Sequence, residues 1–354
     1  MKRSLLLLFL FILVVSLLGC NSSKAMDEFN TMESQEIVAD SIFNIEDYYP
    51  IKENTVMEYE GIGNEFAEKK TFVEFIQEKK VQIKEMNPGT TFVRVIEYKD
   101  GELREIFAEG EFYHIENMLN TNTNRNNVLL KEPLVVGNSW TNDDGSRREI
   151  TELNKRIEIP SGLYDALEVT TEFQTGSTQV EYFVRGIGLV ASIYKDGEFE
   201  VKTLLKTIEN KEQEMNIISY YPTAKDIGTA YVEQNIKFGT NDNIEEILEK
   251  LFKNPPSDKL ISPISKETKI NGIHLDRESW VLEVDFSKEF ADNLNTGSAF
   301  EVEMLKSIVN TLGKFYDVDK VYITVEGVPY ESGHFSIREG EYFIVDTTEL
   351  IEIQ

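Results

Sequence analysis

The chain contains one cysteine, Cys20, standing at the end of an apolar run. No intramolecular disulfide can form, so the fold has to be held by apolar cores alone. The residues before Cys20 set its compartment. Met1-Lys2-Arg3 is a short cationic head, Leu5 to Leu18 is apolar except for Ser16, and Gly19 is the small residue a signal peptidase needs. These 14 apolar residues are too few to cross a bilayer comfortably, and the segment reads as an export signal. An ordinary signal with an incidental cysteine, or an uncleaved anchor helix, are the alternatives. All three place the rest of the chain outside the cytoplasm.

Leu17-Leu18-Gly19-Cys20 resembles the lipobox of bacterial lipoproteins. The resemblance implies that residues 1–19 are removed and that the Cys20 sulfur carries a diacylglycerol. Two acyl chains anchor far more stably than one. The cell membrane is therefore the first expected partner, with the protein on its extracytoplasmic face. Cleavage takes away Lys2 and Arg3 and no acid, moving the net charge from −27 to −29. Such a surface repels nucleic acid and anionic headgroups. The acids are spread along the chain and not clustered at ligand spacing, which describes a solvated face better than a calcium store.

Residues 20–47 are polar and acidic and read as a tether, with an r.m.s. span of about 25–30 Å if flexible. Residues 48–208 have β texture. Thr71-Phe72-Val73-Glu74-Phe75-Ile76 and Thr91-Phe92-Val93-Arg94-Val95-Ile96 are rich in β-branched and aromatic residues, and Asp100-Gly101 and Asp196-Gly197 are hairpin signals. The expected form is an antiparallel meander curled into an open barrel or clam. Residues 209–216 are polar and read as a linker.

From 217 to 354 the pattern changes. Strands are expected at Ile217 to Tyr221, Ala230 to Phe238, Lys269 to Leu275, Trp280 to Phe286 and Lys320 to Val325, with an edge near Glu341 to Val345. A helix from Asp242 to Lys253, capped by Asp242, buries Ile244, Ile247, Leu248 and Leu251. A second opens on a capping box at Ser298 to Glu301 and buries Leu305, Ile308, Val309 and Leu312. The order β-β-α-β-β-α-β gives an α+β fold with both helices on one sheet face.

Three features carry a family resemblance: Tyr220-Tyr221-Pro222, the run Val284-Asp285-Phe286-Ser287-Lys288-Glu289-Phe290, and Ile308-Val309-Asn310-Thr311-Leu312 leading through Val318-Asp319-Lys320-Val321 to Glu326-Gly327. Residues 217–354 resemble the GerMN domain of sporulation and spore-germination lipoproteins. The resemblance implies a ring-building-motif-like fold that associates side by side, here as one unit where the protein naming the domain has two. Tyr49-Pro50-Ile51, Gly137-Asn138-Ser139-Trp140 and Gly186-Ile187-Gly188-Leu189-Val190 resemble segments of anchored bacterial β domains. Related open β shapes hold lipid or other hydrophobic ligands.

Catalytic groups are not evident. His114, His274 and His334 stand in separate segments without a partner at ligand spacing, and no nucleophile elbow, P-loop or dinucleotide fingerprint occurs. Asp143-Asp144-Gly145 lacks the alternating ligands of a calcium loop and reads as a turn. Asp285 and Ser287 are expected to satisfy a strand exit, Asn310 and Thr311 to bond neighbouring loops, and Trp140 and Trp280 to be core or hairpin aromatics. The expectation is a non-enzyme without metal or cofactor, whose assigned residue is Cys20 for lipidation. Its role would be binding or assembly at the cell envelope, with an envelope protein as second partner, in sporulation or germination. Helix surfaces such as Glu303 and Lys306, and the last strand, are where that partner would dock. The alternative is a carrier or sensor with a hydrophobic ligand in the β domain. An enclosed cavity there would favour the second reading, and a filled β core the first.

Overall fold

The computed structural model describes residues 44–225, 227–292 and 297–352. The signal segment, Cys20 and the tether to residue 43 lie outside the described residues. Asn44 caps a 3-10 turn, Ile45–Tyr48, by accepting from the Glu46 N–H at 3.1 Å. Ile45 and Tyr48 are buried in a core with Leu103, Trp140 and Phe183. The end of the expected tether therefore belongs to the fold, because two apolar side chains bury there.

Twelve antiparallel strands follow: β1 Thr55–Ile62, β2 Lys69–Gln77, β3 Lys80–Met86, β4 Thr91–Lys99, β5 Glu102–Glu109, β6 Asn127–Lys131, β7 Ser139–Thr141, β8 Arg147–Ile159, β9 Gly162–Glu172, β10 Thr178–Val184, β11 Gly188–Asp196 and β12 Phe199–Asn210. They form one sheet in the order β6-β5-β4-β3-β2-β1-β12-β11-β10-β9-β8-β7. Asp100 and Gly101 turn β4 into β5 with φ of 53° and 73°, the doubly left-handed geometry that Asp-Gly tolerates.

The two end strands meet without a backbone ladder. Side chains from the β7–β8 region take its place along β6. Trp140 Nε1 donates to the Val128 carbonyl at 2.9 Å, and Asn142 accepts from the Val128 N–H at 3.0 Å. Asn142 also donates to Asn127 at 2.6 Å, Asn138 to the Lys131 carbonyl at 2.9 Å, and Arg148 to the Leu129 carbonyl at 3.1 Å. The sheet is thus nearly closed, and the edge that would otherwise invite strand addition is covered.

The later part comprises β13 Gln213–Pro222, β14 Thr229–Phe238, α1 Ile244–Lys253, β15 Ile270–Asp276, β16 Val281–Phe286, the short α2 Glu289–Asp292, α3 Ser298–Tyr316, β17 Lys320–Val325, and the two-residue strands β18 Val328–Pro329, β19 Phe343–Ile344 and β20 Ile351–Glu352. The order β-β-α-β-β-α-β is present. Its strands divide between two sheets, however: β13-β14-β20, and β15-β16-β17-β18 with β19 also on β17. Helix α3 packs against both. It buries the expected stripe and also Glu301, Ser307, Asn310 and Thr311. A helix enclosed from two directions needs polar groups that find partners inside. Thr311 accepts from the Tyr220 N–H at 2.9 Å, Glu301 accepts from the Tyr330 hydroxyl at 2.7 Å, and Asn310 bonds both backbone groups of Asp346.

Helix starts differ from expectation in detail. Asn243, not Asp242, caps α1 by accepting from the Glu246 N–H at 2.9 Å, while Asp242 accepts from the Gly239 N–H. Ser298 is the first residue of α3 and not its cap; Gly297 holds that position and has no side chain to cap with, and Glu301 accepts from Tyr330 instead of closing a capping box. Residues 209–216 end β12 and begin β13, with Lys211 and Glu212 between the strands. Their polarity is that of a ladder facing water.

Phe43–Gln354 pack as one compact unit. One apolar core runs from Phe72, Val93, Val95 and Phe107 to Phe238, Leu248, Phe286 and Ile308. Strands β2, β4 and β5 therefore have apolar cover on both faces, the condition under which a strand reads as a nearly unbroken apolar run and not as an alternation.

Candidate functional site

Inside the curled sheet lies a cavity of about 390 Å³. It is at the small end of the range for ligand pockets. Part of its lining is apolar, with Ile51, Met57, Val73, Ile83, Ile96, Phe183 and Leu189. The rest is polar and carries a run of half-buried and buried charges. Lys69 and Arg94 reach Glu85 at 3.0 and 3.3 Å, and Arg94 reaches Glu105 at 2.5 Å. Arg125 contacts the other oxygen of Glu105 at 3.2 Å. Further round, Arg148 pairs with Glu181 at 2.5 Å.

Burial alone would raise the Glu85 carboxyl, but the Lys69 and Arg94 cations outweigh it and hold the group down at about 2. Burial lowers the affinity of the Arg94 guanidinium for its proton, and Glu85 and Glu105 more than reverse this. Burial pushes the Tyr49 and Tyr59 phenols up, so both stay protonated donors. Tyr59 donates to the Leu189 carbonyl at 2.9 Å.

The three β-domain motif segments converge on this space. Tyr49-Pro50-Ile51 and Ile187-Gly188-Leu189 line it, and Trp140 helps close the sheet around it. Gly188 has a φ of 112°, and a Cβ there would sit 3.9 Å from the Tyr49 ring. The backbone angle, more than space, is what demands glycine.

Strands β2, β4 and β5 divide their residues between two neighbours, while β3 gives Val81, Ile83 and Glu85 to the cavity. Thr71, Val73, Ile83, Arg94 and Ile96 face the cavity. Phe72, Phe75, Val93, Val95 and Phe107 join the core shared with the later domain. There Phe72 meets Phe238 edge-on at 5.5 Å. The His114 ring lies between Phe112 and Tyr316, at 4.2 and 5.0 Å. Arg277, on the turn after β15, grips Glu116 through two nitrogens at 3.0 and 2.8 Å and reaches Glu109 at 3.3 Å. Burial raises the Glu116 carboxyl, but bonds from His114 and Arg277 bring it to about 2. Thr240 and Asn54 exchange backbone-to-side-chain bonds at 2.7 Å in both directions.

The remaining residues singled out from the sequence are structural in their contacts. Asp144 accepts from the Ser146 N–H and hydroxyl, forming a turn. Asp285 holds a strand exit across three strands, accepting from Thr324 at 2.6 Å, the Gly327 N–H at 2.7 Å and Asn271 at 2.9 Å. Ser287 accepts from the Lys269 N–H at 3.0 Å. Trp280 is an exposed hairpin residue with φ of 53°. His114 is buried beside Glu116, whereas His274 and His334 are exposed. Glu303 and Lys306 are half-buried and engaged, with Thr229 and Asp346 respectively, so they offer no free helix surface. No group of three or more potential metal ligands occurs among the described residues. No helix among them is long and apolar enough to cross a membrane.

Cys20 lies outside the described residues, and the cavity residues were not nominated by the sequence. One signal is present: Arg94 is a charge within the otherwise apolar run Phe92-Val93-Arg94-Val95-Ile96, whereas Lys69, Glu85 and Glu105 stand beside other charges.

Residues 219–331 match the Germane family, described as sporulation and spore germination. The chain thus carries a Germane domain over that stretch. No curated protein matches the chain. An exported protein of Bacteroides fragilis with a YmcC-like fold is similar at 14% identity, covering 45% of this chain and 97% of that one, with a TM-score of 0.32. The tandem GerMN domains of the sporulation protein GerM from Bacillus subtilis are similar at 19% identity, covering 38% of this chain and 46% of that one, with a TM-score of 0.29. A protein of Parabacteroides distasonis described as a candidate lipoprotein is similar at 16% identity, covering 46% and 98%, with a TM-score of 0.30.

Proposed function

We propose that this protein is an envelope lipoprotein of the sporulation and germination type that senses a small molecule. Cys20 holds it on the extracytoplasmic face of the membrane, the β domain takes the ligand, and the Germane domain passes its occupancy to a protein partner. One observation carries this reading. The strands β2, β4 and β5 face the cavity with one set of side chains and the core shared with the Germane domain with the other. Close-packed interiors transmit small shifts instead of absorbing them, so filling the cavity acts on the shared core. The partner-facing side is sought away from α3, at the short edge strands, where Val328 and Ile344 are 62% and 58% exposed. Nothing in this role requires catalysis.

Hydrogen exchange on the whole protein, with and without decan-1-ol as probe, tests the proposal. Protection is expected to rise in β2–β5 and in α3 together. Protection confined to the β domain would refute the transmission, and protection nowhere would refute the ligand.

A further inference from the structure

The charges around the cavity specify the kind of molecule it takes. Three cations line it, Lys69, Arg94 and Arg148, against four carboxylates, Glu85, Glu105, Asp144 and Glu181. Arg125 supplies a fourth cation from outside, on Glu105. Each cation already holds a carboxylate, and Asp144 is occupied by Ser146. An anionic ligand would find no uncommitted cation and would meet carboxylates at close range. A cationic ligand would have to take a carboxylate from a buried arginine or lysine, leaving that charge unpaired in the interior at high cost. Neither sign is provided for.

The remaining polar lining is uncharged: Thr71, Thr171, Gln179, Ser192 and Thr203 bring hydroxyls and an amide. Such groups serve a neutral oxygen without a net charge. Ile51, Val73, Ile96 and Leu189 supply apolar lining beside them. At a liquid share of about 30 Å³ per water, the cavity has room for on the order of a dozen non-hydrogen atoms.

We infer that the cavity takes an uncharged amphiphile of about that size, an apolar body ending in hydroxyl, carbonyl or ether oxygen. The inference rests on the ligand-holding role proposed above and narrows it. The polar end lies among the hydroxyls and the amide, and the apolar body lies along Ile51, Val73, Ile96 and Leu189. A lipid-derived alcohol or ester and a free metabolite of the same polarity share this chemistry.

Three ten-carbon probes of equal length separate the possibilities: decan-1-ol, decanoate and decylammonium, each titrated below its micellar concentration by calorimetry. Decan-1-ol is expected to bind at least tenfold more tightly than either ion. Equal or tighter binding of decanoate or decylammonium overturns the neutrality while leaving the ligand-holding role intact. Failure of all three to bind overturns both. Gln179→Trp, or Ser192→Trp should the first not fold, places an indole in the same space and is expected to abolish the decan-1-ol signal. Unchanged binding in a folded variant puts the alcohol elsewhere and overturns the assignment. Mass spectrometry of molecules extracted from the protein, made with and without its membrane anchor, then distinguishes a lipid source from a soluble one.

Discussion

Replacing Glu85 by glutamine isolates the electrostatics of the cavity wall in one nearly isosteric change. Glu85 sits between Lys69 and Arg94, and its side chain is 13% exposed. Its carboxyl is held at about 2 in the fold against an ordinary value of 4.5. At 1.36 kcal/mol per unit, that depression amounts to about 3 kcal/mol. The group is depressed on folding, so its stabilisation is complete above about pH 4.5 and is lost as the pH falls toward 2. Removing one partner of a buried ion pair costs about 3–5 kcal/mol in other proteins, which agrees. Glu85→Gln should therefore lower the melting temperature at pH 7 by roughly 6–10 °C, at about 2 °C per kcal/mol for a chain of this size. Between pH 4.5 and 2 the variant should lose less stability than wild type, because it no longer takes up that proton. Thermal melts at pH 7, 4.5 and 3 measure both effects. Equal melting temperatures at pH 7, or parallel acid limbs, would show that the Lys69–Glu85–Arg94 group contributes nothing to folding.

Two further outcomes are expected. Cys20→Ala should abolish incorporation of a fatty-acid analogue into the protein; equal label in both forms would remove the anchor from the proposal. Trp140→Phe keeps one aromatic ring but removes the pyrrole ring and its bond to the Val128 carbonyl; the bond alone is worth about 1 kcal/mol, and the lost buried volume adds to it. It should raise amide exchange along residues 128–130 about fivefold, and exchange rates identical to wild type would mean that the bond does not hold the sheet closed.

Much of the fold could be read from local chemistry. Asp100-Gly101 fixed a hairpin because few other pairs tolerate two positive φ values, and Leu305, Ile308, Val309 and Leu312 marked the buried stripe of α3. The division of the later strands into two sheets could not be read, since hydropathy reports that a strand is covered and not by which neighbour. For the same reason Glu303 and Lys306 looked like solvent-facing helix residues. Their partners, Thr229 and Asp346, are far away in sequence. The cavity was hidden more deeply. Val73, Ile83 and Ile96 have the composition of a filled core, and only the three-dimensional curl of the sheet leaves space between them. The strongest pointer was the placement of Arg94 in the run Phe92-Val93-Arg94-Val95-Ile96, otherwise suited to burial.

The seam between β6 and β7 gives the container a clasp. A barrel closed by a backbone ladder can open only by surrendering a run of paired strand residues. Here five side-chain bonds, from Trp140, Asn142, Asn138 and Arg148, do the closing. At about 1 kcal/mol each they contribute about 5 kcal/mol, to which the burial of Leu130 and Trp140 adds. The ladders on either side do not depend on them. Under the proposed ligand-holding role, loading and emptying would occur at this one defined place, at a frequency that a single indole or amide adjusts.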